Sequence, residues 1–430
     1  MHSFAYGALW IFVFVLPWEN MVVIPGLGTL SKALGIFALT VTAFAPLISG
    51  RVRRVRLFHV CGLVFVVWAT SSVLRVEEWQ QHWALLRSLT YVQLLLMCWM
   101  IWELAPDVRR QRGLLMAYVL GAYVSGLATI LAYVTGHGTS ATLRRFAAEG
   151  FDANALGTIL ALAIPMAWYL GLTYQRRIPQ WICRAYLPIG VFAIGLTASR
   201  GALVVGTVAL LIVPLTLTKL SPGRMVGALL LLIVCGTLAA VYVPQTSLAR
   251  YSTISSEVEE GKFGGRGEVW LAGLRAFADQ PLVGHGSATF KGVVEPYLGR
   301  AIVAHNTYLQ ILVEQGILGF VPWFMMFVAV FFQVRRLPPL ERRFGLILMA
   351  TLGIGLLPLS WDDRKPVWFI LAILAAFSES LRPVRMVTAA AQRHALRTAP
   401  VARRAVSPRP RIYPSSPPSA DPSGTPIHDA

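Results

Sequence analysis

The chain has 430 residues, of which 56% are apolar and only 13% charged, and its mean hydropathy is +0.61. A soluble chain carries charge on about a quarter of its residues, so this composition excludes an ordinary globular protein and implies a membrane one. The net charge of +18 would suggest nucleic acid in a soluble protein, and its meaning depends on where the basic residues sit.

Apolar runs long enough to cross a bilayer cover residues 4–17, 30–49, 57–74, 84–104, 113–135, 155–172, 181–198, 201–218, 225–243, 316–334, 344–359 and 366–381. They predict an all-α integral membrane protein of about twelve transmembrane helices, nine of them in residues 1–243 and three in 316–381. The first run has no preceding charge and is followed by Pro17, Trp18 and Glu19 rather than a small-residue cleavage site, so it reads as a retained span. With the N-terminus inside, alternate connections carry the Arg and Lys excess: 51–56, 109–112, 176–184, 219–224, 335–343 and the tail after 381 hold 24 basic residues. Only 6 acidic residues share that side, whereas the other side carries 14 of each sign. Orientation and the anionic inner leaflet therefore account for the basicity, with membrane lipid as the partner and no nucleic acid. Both termini are expected in the cytoplasm.

Ala117, Gly121 and Ser125 recur every four residues in the fifth run, which predicts a small-residue packing face. Cys61, Cys98, Cys183 and Cys235 are scattered in or beside spans and read as packing residues. Residues 244–315 form one large extracytoplasmic loop, in which 268–279 predicts an amphipathic helix with Val269, Trp270, Leu271, Leu274, Phe277 and Ala278 on its apolar face. Residues 382–430 are basic and rich in Pro and Ser, and predict a disordered tail.

Candidates for chemistry cluster on the outward connections. Arg200, in TASRGAL between two nearly fused spans, reads either as a snorkelling interface arginine or as an anion ligand. Arg266, in KFGGRGEVW, suits a phosphate-binding nest or simply a glycine-rich helix start. His305, in AHNTYLQILVEQGILGF, titrates near neutrality and is the strongest candidate base, the alternative being a hydrogen-bonded histidine at a helix start. Arg144, Arg145, Asp152 and Asn154 are further candidates, with interface anchoring as the plain reading. The eight histidines form no HxxxH or HExxH, and Asp362 and Asp363 are followed by Arg364 and Lys365, which would compete for them. No metal and no cofactor is expected.

The stretches RFAAEGFDANALG, SRGAL, GRGEVWLAGLRAFADQPLVGHG and above all HNTYLQILVEQGILGF resemble the bacterial O-antigen ligase and O-antigen polymerase superfamily of multi-span glycosyltransferases. The resemblance implies His305, Arg200 and Arg266 as catalytic residues, and a metal-independent reaction on the periplasmic face of the bacterial inner membrane. The donor would be an undecaprenyl-diphosphate-linked glycan and the acceptor lipid A-core, for a ligase, or a growing glycan, for a polymerase of O-antigen or exopolysaccharide. Arg145, Asn306 and Glu314 are taken as additional substrate-binding candidates beside Arg200 and Arg266. Carboxylates are not required to protonate so good a leaving group, and inversion follows from a single displacement. A transporter without chemistry is the competing class, disfavoured by the lack of a visible repeat.

Overall fold

The computed structural model describes residues 2–26, 28–49, 53–137, 145–217, 221–242 and 265–381. The predicted tail and residues 243–264 lie outside them, as does Arg144. A helix occupies every one of the twelve apolar stretches. In chain order these are α1 (His2–Val15), α2 (Leu30–Ser49), α3 (Leu57–Ser71), α4 (Glu78–Leu104), α5 (Val108–Val134), α6 (Ala153–Thr173), α7 (Arg177–Leu196), α8 (Arg200–Leu210) with α9 (Ile212–Thr216), and α10 (Pro222–Tyr242). Two short helices follow, α11 (Gly267–Asp279) and α12 (Phe290–Leu298), and then α13 (Thr307–Val334), α14 (Pro339–Gly355) and α15 (Lys365–Ser380).

Among the described residues, six helical stretches are long and apolar enough to cross a membrane: His2–Met21, Leu57–Leu74, Glu78–Leu104, Val108–Val134, Ala153–Thr173 and Thr307–Val334. The protein is therefore an all-α membrane protein. Some of the other apolar stretches are short or interrupted. The run 201–218 breaks at Leu211, and α14 and α15 have only 17 and 16 residues.

Burial explains the arrangement. Helices α6 and α15 are apolar all round and almost wholly covered, as expected for the centre of a bundle. Flanking helices bury one face and expose Leu, Val and Phe on the other, among them Leu63, Val64 and Val67 of α3 and Leu318, Val321 and Phe324 of α13. Hydrocarbon, not water, suits those faces. Ala117, Gly121 and Ser125 are all buried, and a Cβ on Gly121 would overlap the Phe14 carbonyl, so the small-residue face lets α5 close on α1. Cys61, Cys98 and Cys183 are free thiols; Cys98 and Cys183 are packed in the interior.

Three expectations change. Helix α13 begins at Thr307, nine residues before the predicted span, so Thr307–Gln315 is helical rather than loop. It is also broken, because Gly316 adopts φ 62° and ψ −172°. The segment 281–286 pairs into the break: the amides of Ile317 and Leu318 donate to the carbonyls of Pro281 and Leu282, and those of His285 and Gly286 to Val313 and Glu314. Finally, α11 turns Val269, Ala272, Gly273 and Ala276 inward and leaves Leu271 and Leu274 about half exposed. Its small residues meet α12, a helix the sequence did not signal, and α13, so the larger leucines are displaced outward.

Candidate functional site

His305 ends the segment that enters α13, and its backbone is left-handed, with φ 45°. A non-glycine residue in that region costs of order 1–2 kcal/mol and persists only where its surroundings hold it. They do so here through the connection between α14 and α15. The amide of His305 donates to Ser360 Oγ (3.1 Å), that of Thr307 to the Leu356 carbonyl (3.0 Å), and Thr307 Oγ1 donates to the Leu359 carbonyl (2.7 Å) while accepting from the Trp361 amide (3.0 Å). From the other side, Trp270 Nε1 of α11 donates to the carbonyl of Ala304 (3.1 Å). Asn306 caps α13, its Oδ1 accepting from the Leu309 amide (3.1 Å). The backbone at His305 is thus held by two segments distant in sequence, while its neighbour Asn306 is committed to starting the helix.

A second group forms where α6 begins. Asp152 caps α6, its Oδ1 accepting from the amides of Asn154 (2.9 Å) and Ala155 (3.2 Å). Asn154 Oδ1 in turn accepts from an Arg145 terminal nitrogen (2.9 Å) and from Ser199 Oγ (2.9 Å), and Arg145 Nε donates to the Thr197 carbonyl (3.1 Å). Ser199 Oγ also caps α8 by accepting from the Ala202 amide (3.1 Å). This network fixes the tight α7–α8 turn, in which Ala198 is left-handed (φ 49°), and thereby the position of Arg200 at the first residue of α8. Gly201 packs on Pro358, so the Arg200 turn and the His305 turn border the same α14–α15 connection.

Arg266, at the N-cap of α11, joins the two groups. Burial lowers its pKa, Asp152 opposes that shift and Arg145 adds to it, so both lie close enough to act on its charge. A guanidinium stays protonated under such a perturbation. His305 is likewise held below its ordinary 6.5, first by burial and then by Arg266, against the opposing charge of Asp152. Asp152 and Arg145 thus act on the charge of Arg266, and Arg266 and Asp152 on that of His305, with Arg200 next to Ser199 in the chain; all four of Arg145, Arg200, Arg266 and His305 are half-buried. Such a group carries net positive charge at pH 7 beside a neutral imidazole. It can bind a multiply charged anion bidentately and accept a proton next to it.

The structure does not bring Glu314 to the histidine turn. Its carboxylate is buried and accepts from the amides of Ala288 (3.1 Å) and Phe290 (3.3 Å), so it anchors the start of α12 and the 284–290 segment. The acidic pair also has an unforeseen partner. Asp362 is fully buried against Arg87 of α4 (2.8 Å), with the Tyr91 hydroxyl and Gln310 Nε2 (3.0 Å) donating to it, and Arg87 reaches Asp363 as well (3.3 Å). Of the two residues expected to compete, Arg364 does reach Asp363 (3.6 Å), whereas Lys365 pairs with Glu19 instead (2.7 Å). Ser360, Thr307 and Trp270 were missed by sequence reasoning; the only available signal was their adjacency to the flagged HN, DDRK and GRGE stretches.

Residues 185–324 match the family model described as O-Antigen ligase. The matched stretch runs from α7 to the middle of α13 and contains Arg200, Arg266, His305, Asn306 and Glu314, but not Arg145. No curated protein matches the chain.

Proposed function

We infer that this chain, a member of the O-antigen ligase and polymerase superfamily by its match over residues 185–324, is a ligase-type glycosyltransferase. It moves a glycan from undecaprenyl diphosphate to a sugar hydroxyl of lipid A-core, on the periplasmic face of the inner membrane. The observation that carries the reading is the left-handed backbone of His305, fixed by hydrogen bonds, with burial and then the Arg266 charge holding its imidazole below the ordinary pKa.

The steps follow from these groups. Arg266 and Arg200 grip the donor diphosphate, with Arg145 adding charge, which spreads the negative charge growing on the leaving group as the anomeric carbon–oxygen bond breaks. His305 orients the acceptor hydroxyl and takes its proton as that oxygen bonds to the anomeric carbon from the opposite face. The electron pair of the broken bond leaves on the diphosphate, the proton rests on His305, and the configuration inverts. No metal ion enters these steps, because guanidiniums hold the diphosphate. Asn306 and Glu314 act indirectly, one by starting α13 and the other by anchoring α12.

The test is transfer by purified protein in lipid, with labelled polyprenyl-diphosphate glycan, chelator, and lipid A-core and unlinked donor offered together as acceptors. The reading expects label on lipid A-core, reduced about 10²- to 10⁴-fold in His305→Ala with the variant still folded. Lengthened donor instead of labelled lipid A-core would make the protein a polymerase, and undiminished transfer by His305→Ala would remove the histidine from the chemistry.

A further inference from the structure

Away from these residues, α2 and α4 part to leave a groove of about 280 Å³, floored by Phe12 of α1. Its residues on α4 run from Leu86 to Met100, about 21 Å of helix. The groove opens sideways, since Ile36, Leu86 and Leu89 on its rim are about half exposed. Most of its wall is apolar, including Leu39, Leu94 and Met97.

Its polar groups are few and unevenly placed. Thr29, Ser31 and Lys32, at the start of α2, and Lys365, at the start of α15, line it. Ser31 Oγ and Lys365 Nζ both donate to the buried Glu19. Lys32 is exposed and has no ion pair among the described residues. Two ammonium groups against one carboxylate leave a single positive charge uncompensated. Deeper, Gln93 lies in the middle of a membrane-crossing helix and faces the groove, exposed and without a hydrogen-bond partner among the described residues. A carboxamide left unpaired in hydrocarbon is costly, so its position calls for a polar partner within a lipid.

We propose that this groove is a binding site for one anionic glycerophospholipid of the surrounding bilayer. The phosphodiester's single negative charge meets Lys32 and Lys365, an ester carbonyl accepts from Gln93, and one acyl chain lies along Leu39, Leu94 and Met97. The chemistry is selective on two counts. A zwitterionic headgroup brings a cation that opposes the lysines, and a polyprenyl phosphate or an ether-linked lipid offers no carbonyl to Gln93. The site is independent of the transfer reaction, so its test needs no activity.

The test exchanges purified protein into mixed phosphatidylglycerol and phosphatidylcholine, removes loosely held lipid, and counts what is retained by native mass spectrometry. One phosphatidylglycerol per chain is expected, favoured over phosphatidylcholine about tenfold, the factor that ~1.4 kcal/mol confers. Lys32→Gln should abolish that preference. Wild type should retain ester-linked phosphatidylglycerol better than its ether-linked analogue, a comparison that needs no variant, and Gln93→Leu should lower retention of the ester-linked lipid to that of the ether-linked one. His305→Ala should retain lipid as the wild type does. Equal retention of the two headgroups, an unchanged Lys32→Gln, or no difference between ester and ether linkages overturns the proposal. Displacement of phosphatidylglycerol by equimolar polyprenyl phosphate or lipid A also overturns it, since the groove would then serve a substrate.

Discussion

His305 and Arg266 act on each other electrically, and this yields the sharpest prediction for single residues. The proposed base works only when neutral. Burial and the Arg266 charge hold its pKa below 6.5, so transfer should be flat around pH 7 and fall only as the pH drops through that lowered value. Arg266→Gln removes a like charge and should therefore move the acid limb upward, toward 6.5, while also lowering the rate by about 10²- to 10³-fold through loss of the proposed diphosphate ligand. Asp152 acts in the opposite sense, so Asp152→Asn should move the limb further down. A pH–rate profile of the three proteins checks the order. Limbs that coincide would mean that the titrating group is not His305, or that Arg266 does not lie beside it in the working enzyme.

At the scale of elements, the break in α13 is the feature on which the site's precision rests. Thr307–Gln315 and Ile317–Val334 are separate helical segments joined at Gly316, and the 281–286 segment fills the gap with four backbone hydrogen bonds. A Cβ on Gly316 would overlap the Leu282 carbonyl, and one on Gly284 would overlap the Gly316 amide, while both residues have positive φ. Gly316→Ala and Gly284→Ala should each destabilise the protein by more than the ~1 kcal/mol that a positive φ costs alanine in open space. The measurement is the midpoint of thermal unfolding in detergent, with Gly299→Ala as control, because Gly299 shares the positive φ (66°) but has nothing within 4 Å. Equal losses at all three positions would show that the 281–286 segment does not fill the break. This geometry also marks where sequence reading stopped. Hydropathy finds α13 from residue 316 onward because Ile317–Val334 is almost wholly apolar. It misses Thr307–Gln315, whose Gln310, Glu314 and Gln315 are polar and buried by partners distant in sequence, Asp362 and Ser287 among them. The same cause hid Ser360 and the Arg87–Asp362 pair. By contrast, Arg200, Arg266 and His305 were legible from local motifs, as were Arg145 and Asp152 from their charge beside a span.

For the whole molecule the open quantity is the number of crossings, and two positions decide it. If all twelve apolar stretches cross, Gln175, after α6, and Glu295, on α12, lie on opposite faces, six and nine crossings from the N-terminus. If only the six long helices cross, no crossing separates Gln175 from Glu295, and both lie on one face. The charge distribution favours the first arrangement, since the 176–184 and 335–343 segments carry Arg runs while residues 244–315 do not concentrate them. Both side chains are exposed, and neither is tied into the site. With the native cysteines replaced, Glu295→Cys should react with a membrane-impermeant maleimide on intact spheroplasts, and Gln175→Cys only after permeabilisation. Labelling of both before permeabilisation would reduce the crossings between them to an even number. It would also remove the basis for placing His305 and Arg266 on the periplasmic face, because the charge rule that orients the bundle would then fail at α7 to α10.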